Sequence, residues 1–306
     1  MAIKESVNNL TIKRAKFFQT VQVWPLTDDF NYSGWLNNFK TKKDKELACL
    51  ILDFFMYFSS QMVDKMFLSA IETAGAKLAK LIPNWSHEDF FKRCIYSYIP
   101  GETPNISDSG FNFARKLKEV VGIPEERLFD YSKIPEILDT IGKPTPVILV
   151  DDFIGSGAEC SKAWNINRFP YNNKTLREIS NSDNHIFVYA PLIVNYLGFK
   201  RIIKDCPELF LTPTHILGNE YNLFKPECYC WKGDIKLYNA GTEMILRKSK
   251  EIGIPSTNGR HTQDEKGFGM QGLALKFEHG APDAIPSFFY WCQDNWTPLF
   301  KKNYVR

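Results

Sequence analysis

The sequence lacks a run of roughly 18 apolar residues, the length a membrane-spanning helix needs, so no membrane segment is expected. Its most apolar stretch, Leu47 to Met62, is broken by Asp53 and Gln61 and suits a buried helix. Met1 to Ser6 contain no apolar signal core. Charge of one sign is also missing. The formal net charge is +3, which gives no electrostatic footprint for nucleic-acid binding. There is no internal repeat and no low-complexity segment. The seven cysteines are odd in number and scattered. Cys228 and Cys230 stand too close for a zinc knuckle, so free thiols in a reducing, cytoplasmic setting are expected. The five histidines show no paired metal spacing, and neither a serine nucleophile elbow nor a Walker loop occurs.

A chain of 306 residues suits one large α/β domain with an appendage. Aromatic residues make up 14%, a surplus read as a core rich in Phe and Tyr. Residues 34–81 read as mostly helix. Leu47, Leu50, Ile51, Phe54 and Phe55 recur at three and four residues and define one apolar face. Pro83, Asn84 and Ser86 then punctuate the chain. This predicts an N-terminal helical region over 1–85 and an α/β domain over 86–306. Strands are expected at Cys94–Ile99, near Leu128, at Val147–Val150, within His185–Val194, and at Leu209–Leu217 with Pro213 interrupting the last. Helices are expected at Phe111–Val121, Pro135–Ile141, Gly155–Trp164 and Leu237–Lys250. Gly272–Phe277 is read as the strand that closes the sheet. Alternating strands and helices predict an α/β fold with a mainly parallel sheet flanked by helices, with ligands beyond the carboxyl ends of the strands.

The segment most informative about chemistry is Val147 to Gly157: four apolar residues, then Asp151 and Asp152, then Phe153-Ile154-Gly155-Ser156-Gly157. A buried strand fixes where the acids emerge. Adjacent carboxylates can accept hydrogen bonds from a ribose diol, directly or through the waters of a bound Mg²⁺. Gly155 and Gly157 permit a tight turn. Amides opening the following helix, with the Ser156 hydroxyl, offer donors to a phosphate. The plainer alternative is a generic acid pair at a strand end.

Ser107-Asp108-Ser109-Gly110 precedes a helix, which suits either an anion at the helix start or simple capping by serine. Arg115, soon after, could reach a phosphate bidentately or lie solvated on the surface. Gly267-Phe268-Gly269-Met270-Gln271-Gly272 has the spelling of a dinucleotide fingerprint, but the residues after it alternate like a strand, so a glycine-rich turn is the better reading. The segment from Glu278 to Trp291 is read as a buried lid. Base stacking by Phe288, Tyr290 or Trp291 is the functional alternative. His261, in a polar loop, is the most available acid–base histidine.

The Val147–Gly157 block resembles the phosphoribosyl-diphosphate motif of type I phosphoribosyltransferases. The wider chain is similar to the phosphoribosyltransferase-like proteins of bacterial conflict and defence operons, including retron-associated effectors. That wider likeness is carried by Trp24, Trp35–Phe39, Ser107–Gly110 with Ala114-Arg115, Asp151–Gly157, Gly267–Phe277, and Pro282-Asp283 through Trp291. The resemblance implies a phosphoribosyltransferase fold with an N-terminal helical extension. It implies Asp151 and Asp152 at the ribose hydroxyls and at Mg²⁺. It places Gly155, Ser156, Gly157 and Ala158 around the 5-phosphate, and Asp108, Ser109 and Gly110 near pyrophosphate. The implied substrate is phosphoribosyl diphosphate, a nucleotide or a nucleobase, in antiviral defence with operon-encoded protein partners. Glu159 stands where the family usually has Thr or Ser, with Ser161 nearby as a partial substitute. No long hood loop is evident between Gly122 and Pro146. A non-catalytic nucleotide-sensing or partner-binding module with the same fold is therefore the alternative.

Overall fold

Val147, Ile148, Leu149 and Val150 are fully buried, because each face of their strand is covered. They form the start of the central strand of a parallel sheet. The structure is a computed structural model that describes residues 7–25, 29–101, 109–292 and 295–302. In chain order the helices and strands are α1 (Val7–Thr20), α2 (Tyr32–Leu36), α3 (Lys42–Phe54), β1 (Met56–Phe58), α4 (Ser60–Leu81), α5 (His87–Arg93), β2 (Ile95–Tyr98), α6 (Ser109–Lys116), α7 (Ile134–Ile141), β3 (Val147–Ile154), α8 (Ala158–Asn165), α9 (Leu176–Asp183), β4 (Phe187–Asn195), α10 (Tyr196–Asp205), β5 (Phe210–Leu211), β6 (His215–Leu217), α11 (Ile235–Glu251) and β7 (Leu275–Phe277). The protein is thus α/β, with mainly parallel sheets flanked by helices.

The chain forms two compact units. One joins residues 1–62 with 218–306, and the other spans 63–217. The expected division near residue 85 falls inside the second unit.

In the second unit the sheet order is β2-β3-β4-β5, and β6 also pairs with β4; every pairing is parallel. β5 lies beside Val188 and Tyr189, and β6 beside Ile193 to Asn195. Pro213 sits in the gap between them, as its missing N–H requires. One face of the sheet packs Val147, Leu149, Phe187 and Tyr189 against Trp164, Leu176 and Ile202. On the opposite face α6 packs against β2 and β3, and Phe113 meets Phe67 edge-on at 5.2 Å. Capping boxes at Ser86/Asp89 and Thr175/Glu178 start α5 and α9 by satisfying amides that have no helical partner.

In the first unit, Trp35 is fully buried against Phe39, Phe288 and Phe289, with ring centroids 5.0, 5.6 and 5.8 Å away. The aromatic surplus is therefore core. Asp44 on α3 is nearly buried and pairs with Arg247 on α11 at 2.7 Å. Two features depart from the sequence expectation here. β1 interrupts the helical stretch. Gly272–Phe277 does not close the main sheet, because β7 pairs with β1 in a separate two-stranded sheet. β1 is three residues long, too short for periodicity to reveal, and Gly272–Phe277 does hold the expected strand, but its own spacing does not say which sheet it joins. The turn ahead of β7 holds Gly267, Gly269 and Gly272 at positive φ and is followed by a strand, which agrees with the rejected fingerprint.

Candidate functional site

β3 runs past its apolar half and carries both acids within the strand. Alternation then sends the two carboxylates to opposite faces. Asp151 lies on the face of Val147 and Leu149 and is 8% exposed. Its Oδ1 accepts from the Asp152 amide at 2.9 Å. Its Oδ2 accepts from the Tyr189 hydroxyl at 2.7 Å. Burial, then the neighbouring Asp152 charge, push Asp151 well above the usual carboxylate range, and the Tyr189 hydrogen bond offsets only part of this. Tyr189 is itself pushed up, by burial and then by Asp151. Asp152 is half-buried on the face that α6 covers.

The turn after β3 is built on close backbone approach. Gly157 has φ +71° and caps α8 in the left-handed region. A Cβ there would lie 2.9 Å from the Gly198 carbonyl oxygen. Conversely, a Cβ on Gly198 would lie 2.6 Å from Gly155 O and 3.1 Å from Gly157 N. The turn is therefore pressed against the first turn of α10, with no room for a Cβ at Gly157 or Gly198. Ser156 Oγ accepts from the Ala158 amide at 3.3 Å, which orders the entry into α8. The first amides of α8 open at this turn, with the helix dipole behind them.

Two residues near the turn bear on its character. The Ser161 hydroxyl donates to Asp205 Oδ2 at 3.2 Å, on the side of α8 that faces α10, rather than serving the turn. Glu159 is exposed, yet its charge still acts on Asp151 and Tyr189 and raises both.

Gly110 is buried in the first turn of α6, and a Cβ on it would come within 2.9 Å of Tyr98 Cδ2 and 3.0 Å of Ile99 O. Its small size lets α6 start against the end of β2. Asp108 lies outside the described residues, and for Ser109 only the backbone position at the start of α6 is described. Arg115 is 75% exposed and pairs with Glu119 at 2.7 Å, one helical turn on. Phe288, Tyr290 and Trp291 are buried, so their rings are not open to stack a base. His185 is buried and accepts from the Thr145 amide through Nδ1, a structural use.

Sequence reasoning missed Tyr189 and Gly198. Tyr189 pairs in register with Leu149, two residues before the partner of Asp151, so its ring points along the same face toward the acid. A parallel alignment of Val147–Ile154 with Phe187–Asn195 would have brought it into view. Gly198 gives no sequence signal beyond being a glycine one turn into a helix.

Among the described residues, no group of three or more His, Cys, Asp or Glu could hold a metal ion, and no helix is long and apolar enough to cross a membrane. No curated protein and no solved structure matches the chain. The model of the PRTase-CE family matches residues 32–302, a stretch that takes in the acid-pair strand, its turn and most of both units. A match over that much of the chain makes this protein a member of the PRTase-CE family, and so phosphoribosyltransferase-like.

Proposed function

We propose that the protein is an effector that acts on phosphoribosyl diphosphate, a nucleotide or a nucleobase in bacterial antiviral defence, alongside operon-encoded partner proteins. The observation that carries the ligand class is the Gly155–Gly157 turn, held by close backbone approach of Gly157 and Gly155 O to Gly198 at the carboxyl end of β3. Such a turn suits a 5-phosphate, with Ser156 and the opening amides of α8 as donors. Asp152, half-buried beside it, suits the ribose hydroxyls. Asp151, buried and hydrogen-bonded to Tyr189, suits a positioning role beneath. The defence setting rests on the sequence resemblance alone.

The acid pair fits Mg²⁺ in one sense only. Asp152 offers a single half-buried carboxylate, and Mg²⁺ is commonly held by one or two carboxylates together with substrate phosphates and water. Bound there, the ion would neutralise developing charge on a leaving pyrophosphate. The chain's own contribution would be to position the ribose and phosphate and to present a preorganised field, without a nucleophile.

A non-catalytic nucleotide sensor is the second reading. It is favoured by Glu159, whose charge reaches the acid pair where a hydroxyl is usual.

Calorimetry of Mg²⁺ and phosphoribosyl diphosphate against wild type, Asp152→Asn and the double variant Asp151→Asn/Asp152→Asn tests the ligand class. Loss of Mg²⁺-dependent binding in both variants is expected. Unchanged binding in the double variant overturns the reading. Mass spectrometry of the wild-type mixture with candidate bases then separates enzyme from sensor.

A further inference from the structure

Parallel register places Ile154 beside Val194, so the chain leaves β3 at Gly155-Ser156 next to where it leaves β4 at Asn195-Tyr196. Asn195 turns the chain into α10 at once, by accepting from the Leu197 amide at 2.9 Å. One residue later Gly198 meets the Gly155–Gly157 turn backbone to backbone. Tyr196 is thus fixed between two residues whose places relative to the turn are set.

Tyr196 as a whole is 42% exposed. The other exposed aromatics among the described residues are Phe17, Tyr171 and Tyr229. Phe17 and Tyr229 belong to the other compact unit, and Tyr171 lies between α8 and α9, which lead back to the amino end of β4. Tyr196 alone among these stands at the carboxyl edge of the parallel sheet, beside the turn. The ring is also held in place. Lys200 Nζ lies 4.3 Å from its centroid, and Phe199 lies nearly parallel to it, 13° off at 6.3 Å. Lys200 has no carboxylate partner among the described residues, so its charge remains available to an anion.

We propose that Tyr196 is the stacking platform for the aromatic base of a nucleoside 5′-phosphate whose phosphate occupies the Gly155–Gly157 turn. The inference rests on the reading of that turn as a phosphate site. It makes the ligand a nucleotide rather than a bare sugar phosphate. A flat ring stacked on an exposed, immobilised tyrosine gains affinity without hydrogen-bond readout, so the platform accepts different bases.

Calorimetry with AMP and with ribose 5-phosphate, each with Mg²⁺, separates the two ideas. Wild type is expected to bind AMP about tenfold or more tighter than ribose 5-phosphate, the range for one base on one ring. Tyr196→Ala should remove that difference and leave ribose 5-phosphate affinity unchanged, while Tyr196→Phe should retain it. Equal affinity of wild type for the two probes overturns the platform and leaves the phosphate site standing. So does a preference for AMP that survives Tyr196→Ala. Failure of both probes to bind wild type overturns the phosphate site, and the platform with it. Thermal melts of both variants check the fold, which an exposed side chain does not hold up.

Discussion

The Tyr189 hydroxyl donates to Asp151 Oδ2 at 2.7 Å across adjacent parallel strands, 38 residues apart in sequence. This bond keeps a buried carboxyl partnered at the end of an apolar strand. Tyr189→Phe removes the donor while keeping the ring. The expected loss is about 1–3 kcal/mol, the cost of leaving a buried acceptor short of a partner. Urea unfolding monitored by far-UV circular dichroism checks it, and the unfolding slope should stay constant.

Gly198→Ala sets two effects against each other. Alanine in a helix interior is better than glycine by about 1 kcal/mol. Here its Cβ would press to 2.6 Å from Gly155 O and 2.8 Å from Ile154 Cγ2, and neither the backbone oxygen nor a core methyl group can step aside freely. Overpacking costs about 1–3 kcal/mol, so the clash is expected to win. The variant should melt lower than wild type and should bind ribose 5-phosphate at least tenfold more weakly. A variant more stable than wild type would show that the turn is not pressed against α10.

Asp264 supplies a pH prediction in the first unit. It is fully buried, and its carboxylate accepts from the amides of Thr257, Gly259 and Lys266 and from the Thr257 hydroxyl. Burial alone would raise its pKa, but these hydrogen bonds outweigh burial and leave it below the ordinary value. A depressed folded-state pKa adds stability above the unfolded-state value. That stability is lost as pH falls through the folded value, which places the loss below about pH 4. Asp264→Asn should therefore be destabilised by about 1–3 kcal/mol at pH 7 and by less in acid. Chemical unfolding of both proteins at pH 7 and at pH 3 reads the convergence.

Arg247 reaches Asp44 at 2.7 Å from a half-exposed position, while the carboxylate is nearly buried. Solvent screens the guanidinium end, so the pair is worth less than a fully buried one. Arg247→Met should cost about 1–2 kcal/mol, mainly by leaving Asp44 buried without its partner. A double-mutant cycle with Asp44→Asn should show a coupling that shrinks in high salt.

The strands and helices of the 63–217 unit were largely legible, because Val147–Val150 is apolar enough to be a buried strand and Pro213 marks the break between β5 and β6. α1, α5, α9 and α10 were not anticipated. α10 has a clearly one-sided apolar pattern but starts directly from Asn195, the last residue of β4, with no Gly or Pro between strand and helix to mark the change. β1 escaped because it holds only three residues, and the partner of the expected strand at Gly272–Phe277 escaped because the β1–β7 pairing joins segments more than 200 residues apart. At the site, Asp151, Asp152, Gly155, Ser156 and Gly157 were legible as a block. The different environments of the two acids followed only once the strand was seen to continue through them.

By itself the sequence determined the order of the acid-pair block: an apolar strand, two acids and a glycine turn, in an order that the chain's covalent connectivity fixes. Tertiary structure alone decided how those residues are placed. Strand alternation buried Asp151 and left Asp152 half-exposed. Parallel register brought Tyr189 to the buried acid, and the approach of Gly198 to Gly157 shaped the turn. Burial and close backbone approach depend on which distant segments pack together, and local spacing carries no record of that.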